Sequence, residues 1–273
     1  MLTVNLGPLA APIGLLLIFL ALLVAAAVGR MAGRARKAGI THVLTDMLIA
    51  ALLAARVAFV AAWFDTYRSA PWSMLDIRDG GFTPWAGVAA ALLVAIWQGW
   101  RHAELRKPLT LGLAAGALVW GGVFGAILLT SNTSLPKSSL TTLAGEPADL
   151  AKLAAGKPMV INLWATWCPP CRREMPVLAA AQQREPGVRF VFANQGENAT
   201  TVQRYFVSAG LELDNVLLDS GARIGREVGS GGLPTTLFYD ADGRLIDTHV
   251  GLLTAGSLAS KLGRLQAALP PPR

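Results

Sequence analysis

Trp164-Ala-Thr-Trp-Cys-Pro-Pro-Cys-Arg-Arg-Glu-Met-Pro176 contains Cys168 and Cys171, the only two cysteines among 273 residues. The apolar run Met159–Leu163 ahead of it reads as a buried strand, and Pro169–Gln183 behind it as a helix. Two thiols three residues apart at a helix start can close a disulfide with each other and be reopened by an outside thiol. Cys168 falls at or just before the helix N-terminus, where unpaired N–H groups and the helix dipole favour a thiolate. Pro169 and Pro170 lack N–H groups, which costs little in a first turn, and they stiffen the loop between the sulfurs. Cys171, one turn inside, is placed to resolve a mixed disulfide formed by Cys168. The alternative is a purely structural disulfide. A ring this small at a helix start favours the redox reading.

Outward from this stretch, strands and helices alternate. Val188–Ala193 and Val216–Leu218 read as strands; Thr200–Ala209, stopped by Gly210, and Ala222–Val228 read as helices. Thr235–Tyr239 and Arg244–Val250 flank the turn signal Asp240-Ala-Asp-Gly243. Ser257–Ala268 reads as a final helix, with Leu258, Leu262, Leu265 and Leu269 on one face. The pattern implies a three-layer α/β domain with a mixed sheet over residues 138–273. A polar linker at 131–137 precedes it.

The first half differs in kind. The chain is 53% hydrophobic and 15% charged, with mean hydropathy +0.46, and the apolar excess lies before residue 131. Four runs approach the roughly 20 residues that cross a bilayer: Leu6–Val28, Val43–Phe64, Pro84–Trp100 and Leu109–Thr130. Residues 1–130 therefore read as a transmembrane helical domain of about four spans. Met1–Val28 carries no charge, so it lacks the basic start of a cleaved signal peptide and reads as a retained helix. Arg30, Arg34, Arg36 and Lys37 follow the first run; Arg101, Arg106 and Lys107 follow the third. The positive-inside rule puts both loops in the cytoplasm, with the N-terminus and the α/β domain outside. Trp63, Trp72, Trp85, Trp97 and Trp100 crowd the span ends as interfacial anchors. Asp46 and Arg56 fall inside the second run, where ionisable groups are costly. They snorkel, pair with another helix, or form a polar site for a lipid headgroup or partner.

The net charge of +7 sits largely beside the apolar runs and has no interleaved aromatic patch. That speaks against nucleic-acid binding. Two cysteines and the scattered His42, His102 and His249 assemble no metal-ligand set, and no cofactor is expected.

Trp164-Ala-Thr-Trp-Cys-Pro-Pro-Cys171, with Pro176 and Gly232-Leu-Pro-Thr-Thr236, resembles the thioredoxin-fold proteins of the TlpA/ResA/CcmG group over about residues 138–265. The resemblance implies a thioredoxin fold with Cys168 and Cys171 as a redox disulfide. It also implies a cis peptide before Pro234, with Trp167, Pro169, Leu233 and Pro234 facing an extended substrate. Glu174 matches the acidic residue this group carries after its cysteine pair, which tunes the pair or moves a proton to Cys171. Its alternative is a solvated glutamate in a first turn. Asn162 stands where classical thioredoxins carry a buried aspartate. Arg172 and Arg173 either raise thiolate character, meet acidic partners, or form a solvated face.

In the first half, Ala55-Arg-Val-Ala-Phe-Val60, Asp76-Ile-Arg-Asp-Gly-Gly-Phe82 and Trp85-Ala-Gly-Val88 resemble the prolipoprotein diacylglyceryl transferase family. Thr83-Pro84 stands in place of that family's histidine, and Val119-Trp-Gly-Gly122 in place of its arginine-glycine-asparagine motif. The scaffold is thus expected without the acyl-transfer chemistry.

Together these readings imply a multi-pass protein of the bacterial inner membrane whose periplasmic domain reduces protein disulfides, such as those of apocytochrome c. The membrane half has no cysteine, so electrons are expected from a DsbD/CcdA-type membrane donor; membrane lipid is the other partner. Two rival functions remain: a lipid-modifying enzyme with a thioredoxin-like accessory domain, and a non-catalytic assembly factor.

Overall fold

The computed structural model describes residues 3–6, 9–33, 40–68, 71–76, 79–130 and 134–267. The chain divides into two compact units. One comprises Pro12–Ser69 and Gly81–Ser131; the other comprises Met1–Ala11, Ala70–Gly80 and Asn132–Arg273.

The first unit is helical: α1 (Ile13–Ala32), α2 (Ile40–Ala62), the short α3 (Phe64–Tyr67), α4 (Pro84–Arg101) and α5 (Arg106–Thr130). Helix α1 packs on α5, and α2 on α4. Small residues let the backbones approach. A Cβ at Gly112 would lie 2.6 Å from the Ala25 carbonyl oxygen, and one at Gly116 2.8 Å from that of Ala21. Small residues four apart on facing helices are how apolar helices pair closely in lipid. Arg56 is buried, donates from Nη1 to the Gly81 carbonyl at 2.7 Å, and faces the rings of Tyr67 and Phe82. Asp46 is on the exposed side of α2. Leucines such as Leu118 and Leu129 are largely bare, a surface suited to hydrocarbon rather than water.

The expectation of four spans is corrected. Among the described residues two helical stretches, Ile40–Ala62 and Ala103–Ile127, are long and apolar enough to cross a membrane. The first run becomes a helix only at Ile13, because its start is taken by the strands β1 (Thr3–Leu6) and β2 (Leu9–Pro12). Helix α4 has 18 residues and includes Gln98 and Arg101, which lower its hydropathy. Arg34, Arg36, Lys37 and Arg78 lie outside the described residues, as does the stretch 131–133 of the expected linker.

The second unit carries a seven-stranded mixed sheet. Its elements are β3 (Leu140–Thr142), β4 (Pro147–Ala148), α6 (Leu150–Ala154), β5 (Met159–Trp164), α7 (Pro169–Arg184), β6 (Arg189–Gln195), α8 (Ala199–Ala209), β7 (Val216–Asp219), α9 (Arg223–Glu227), β8 (Thr235–Tyr239), β9 (Leu245–Val250) and α10 (Ala255–Ala267). The strand order is β4-β3-β7-β6-β5-β8-β9. Strand β5 pairs parallel with β6 and antiparallel with β8, so it is central and buried throughout. That is why it reads as a near-continuous apolar run. Alternate β5 residues serve opposite faces. Val160 and Trp164 join Met175 and Leu178 of α7, Val202 of α8 and Leu258, Leu262 and Leu265 of α10. Met159, Ile161 and Leu163 join Leu150 of α6 and Ile224 of α9. This is the α/β thioredoxin fold expected of the C-terminal half.

The β3–β4 hairpin and α6 were not anticipated. The hairpin turns at Gly145, whose φ is +86°, and α6 is capped by Asp149, whose side chain accepts from Ala151 N and Lys152 N. The residues before β3 are tied to this unit. Ser134 bridges Arg244, while Lys137 N and Ser138 Oγ donate to the Glu227 carboxylate.

Candidate functional site

Strand β5 and helix α7 place the cysteines. Cys168 is the N-cap of α7, with Pro169 and Pro170 in the first turn. The Cys168 sulfur accepts the Cys171 N–H at 3.3 Å, so a backbone donor already points at the sulfur that the sequence marks for negative charge. The two cysteines form a disulfide, with Cα atoms 5.3 Å apart. Cys168 is only 3% exposed and Cys171 fully buried. The ring is therefore more enclosed than its spacing suggests, and its remaining accessible surface belongs to Cys168. Trp167 beside it is 67% exposed.

Glu174 follows Cys171 by three residues, which puts both on one face of α7. It is not a solvated first-turn residue; it is buried. Oε1 accepts from Asn162 Nδ2 at 2.8 Å, and Oε2 accepts from Leu253 N at 2.8 Å. Burial pushes its pKa up from 4.5 to about 7, against the lowering effect of those two bonds. Asn162 Nδ2 also donates to Thr236 Oγ1 at 3.0 Å. Its Oδ1 is buried with no hydrogen-bond partner among the described residues. A carboxyl poised near neutrality beside a buried cysteine pair can hold or release a proton at working pH.

The Leu233–Pro234 peptide is cis. Pro234 leads into β8, which pairs with β5 so that Thr236 opposes Asn162 and Thr235 opposes Leu163. Thr235 Oγ1 lies 2.7 Å from Ser230 Oγ and donates to Gly232 O at 2.7 Å, fastening the preceding glycine-rich turn. Arg172 and Arg173 are exposed. The Arg172 guanidinium lies over the Tyr205 ring, and an open groove at this place is lined by Pro169, Arg173 and Pro176.

One clasp was not found from sequence. Thr166, two residues before Cys168, donates from N and Oγ1 to the Glu197 carboxylate at 2.7 and 2.5 Å. Asn194 Nδ2 donates to the same carboxylate at 2.7 Å. Glu197 thus anchors the loop carrying Trp167 and Cys168 to the end of β6. The only sequence sign is a polar Asn194-Gln-Gly-Glu197 run where an apolar strand ends.

Among the described residues no cluster of His, Cys, Asp and Glu could hold a metal ion.

The Redoxin family model matches residues 130–262. The thiol-disulfide oxidoreductase ResA of Halalkalibacterium halodurans is 35% identical over 117 residues, which span 42% of this chain and 65% of that protein. ResA of Bacillus thuringiensis is 31% identical over 132 residues, 48% of this chain and 75% of that protein. The thiol:disulfide interchange protein HelX of Rhodobacter capsulatus is 28% identical, over 55% of this chain and 92% of its own length. Among solved structures, a secreted Mycobacterium tuberculosis disulfide oxidoreductase aligns with a TM-score of 0.41 at 30% identity, covering 48% of this chain and 96% of its own. With a helix-capping cysteine disulfide on a thioredoxin fold, and relatives of this kind over the same residues, the chain belongs through its C-terminal half to the thioredoxin-fold thiol–disulfide oxidoreductases of the TlpA/ResA/CcmG group.

Proposed function

We propose that the protein is a membrane-anchored reductase of protein disulfides, working in the bacterial periplasm through Cys168 and Cys171. The observation that carries this reading is the asymmetry of the pair: the remaining accessible surface and the helix-cap position both belong to Cys168. In the reduced protein the Cys168 thiolate attacks one sulfur of a substrate disulfide. A Cys168–substrate disulfide forms and the other substrate sulfur leaves as a thiolate. Cys171 then gives up its proton and attacks the Cys168 sulfur, releasing the second substrate thiolate and closing Cys168–Cys171. Two electrons pass to the substrate. Glu174 is the acceptor for the Cys171 proton, supported by its burial on the same helix face and its pKa near neutrality. Three influences act on the Cys168 thiol: the Cys171 N–H favours its thiolate, while burial and an ionised Glu174 oppose it. Trp167, Pro169, Leu233 and the cis-Pro234 edge form the surface for an extended substrate segment.

The domain boundaries belong to the same proposal: 1–130 in the membrane, 131–137 as linker, 138–273 as redox domain. So do periplasmic termini, contact with membrane lipid, and a DsbD/CcdA-type donor that returns electrons. Relatives named as thiol:disulfide interchange proteins support the substrate class. The direction of electron flow is tested by labelling the thiols of the full-length protein in bacterial cells. A mainly reduced Cys168–Cys171 pair is expected; a mainly oxidised pair overturns the reductase assignment. The diacylglyceryl-transferase reading makes the opposite demand on mutants: Arg56→Ala abolishes function and Cys168→Ser leaves it intact.

A further inference from the structure

The loop Gly251–Thr254, between β9 and α10, supplies the N–H that holds Glu174. Three successive residues of this loop are each gripped. Leu252 O accepts from His249 Nε2 at 3.1 Å, Leu253 N donates to Glu174 Oε2 at 2.8 Å, and Thr254 Oγ1 donates to Asp79 Oδ2 at 3.1 Å. The outer two grips rest on one short stretch of chain. Gly80 has φ +63°, and a Cβ there would lie 2.8 Å from His249 Cε1, so the Asp79–Gly80 backbone runs directly against the His249 ring. Asp79 and Gly80 come from Ala70–Gly80, which lies between α3 and α4 in sequence yet belongs to the same compact unit as the cysteines. Both lie outside residues 130–262, which the family model matches.

The Thr254 hydroxyl has a single proton. Giving it to Asp79 turns an oxygen lone pair toward the start of α10, where Thr254 Oγ1 accepts from Ser257 N at 3.3 Å. Asp79 therefore sets the rotor that fastens the loop on one side of Leu253, while Gly80 backs the ring that fastens it on the other.

We infer that Asp79 is a positioning residue for Glu174, acting through Thr254 and the Leu253 N–H to hold the buried acid beside the cysteine pair. This rests on the role proposed above for Glu174. The groups facing Glu174 are Asn162 from β5, with Thr236 of β8 bound to the same amide, and the Leu253 N–H. The titratable groups on the far side of the loop are Asp79 and His249; the charges of Lys261 and Asp247 act on His249, and Asp247 pairs with Lys261 at 3.0 Å and with Arg264 at 2.7 Å. His249 is neutral at working pH, since burial lowers its pKa to about 4, and serves as a donor to Leu252. Loosening the Leu253 N–H removes a hydrogen bond that favours the ionised acid, so Glu174 keeps its proton to higher pH.

The test uses the full-length protein in detergent with its disulfide reduced, and reads the pH dependence of cysteine alkylation. Asp79→Ala and Thr254→Val are expected to move the profile by about half a pH unit or more from wild type, and Thr254→Ser to restore it. In a Glu174→Gln background, Asp79→Ala is expected to change nothing further, since the coupling then has no acid to act on. Profiles of Asp79→Ala and Thr254→Val that overlay wild type overturn the inference, as does a shift that persists in the Glu174→Gln background. If Glu174→Gln alone overlays wild type, the role of Glu174 itself falls, and this inference with it.

Discussion

Two buried titratable residues in the redox unit have pKa values shifted in opposite senses. Glu174 is raised from 4.5 to about 7 by burial, so between those values the folded chain holds a proton the unfolded chain has released. Stability then falls as pH rises through that window, by about 3 kcal/mol in all at about 1.4 kcal/mol per unit. His249 is lowered from 6.5 to about 4, chiefly by burial and then by the charge of Lys261. The folded chain refuses a proton that the unfolded chain takes, so stability is lost as pH falls through that window, by a similar amount. Between pH 4.5 and 6.5 the two slopes cancel. Denaturant unfolding of Glu174→Gln should therefore show stability rising with pH over this range, and that of His249→Gln should show it falling. Parallel pH dependence in wild type and both variants would contradict these assignments. The pairing of Cys168 with Cys171 was legible because two cysteines three apart at a helix start have few other uses, and the cis peptide before Pro234 was legible only through the family resemblance. The burial of Glu174 was not, since a glutamate in a first turn is as well placed in water. Only the approach of Asn162 and Leu253 from elsewhere in the chain decides it.

Elements were legible where they are long enough to carry a period. Strand β5, helix α7, β6, α8 and the β8–β9 pair fall within a residue or two of their expected limits, because apolar runs and turn residues such as Gly210 and Asp240–Gly243 punctuate them. The β3–β4 hairpin has strands of three and two residues, too short for alternation to show. In the membrane half, hydropathy located the helices but not the start of the first, which Pro12 precedes. Two substitutions test the packing. Leu178→Ala, on the fully buried face of α7, should cost about 2–5 kcal/mol through the cavity it leaves. Asn198→Ala, which removes the side chain that accepts from Thr201 N at 2.9 Å, should cost about 1 kcal/mol. Denaturant midpoints of the two variants should fall in that order; equal midpoints would contradict the placement of Leu178 in the core.

At the scale of the whole chain, sequence divides the molecule near residue 131, whereas compactness assigns Ala70–Gly80 to the redox unit. Composition could not reveal this, because a short mixed loop between two apolar runs looks the same wherever it packs. The rest of the molecular account depends on one sulfur facing the partner. The direct test is to mix reduced full-length Cys171→Ser protein with a disulfide-bearing protein such as insulin and map the adduct by mass spectrometry. A mixed disulfide on Cys168, absent from the Cys168→Ser protein, is the predicted result. No adduct on Cys168, under conditions where a small thiol reagent does react with it, would contradict the account.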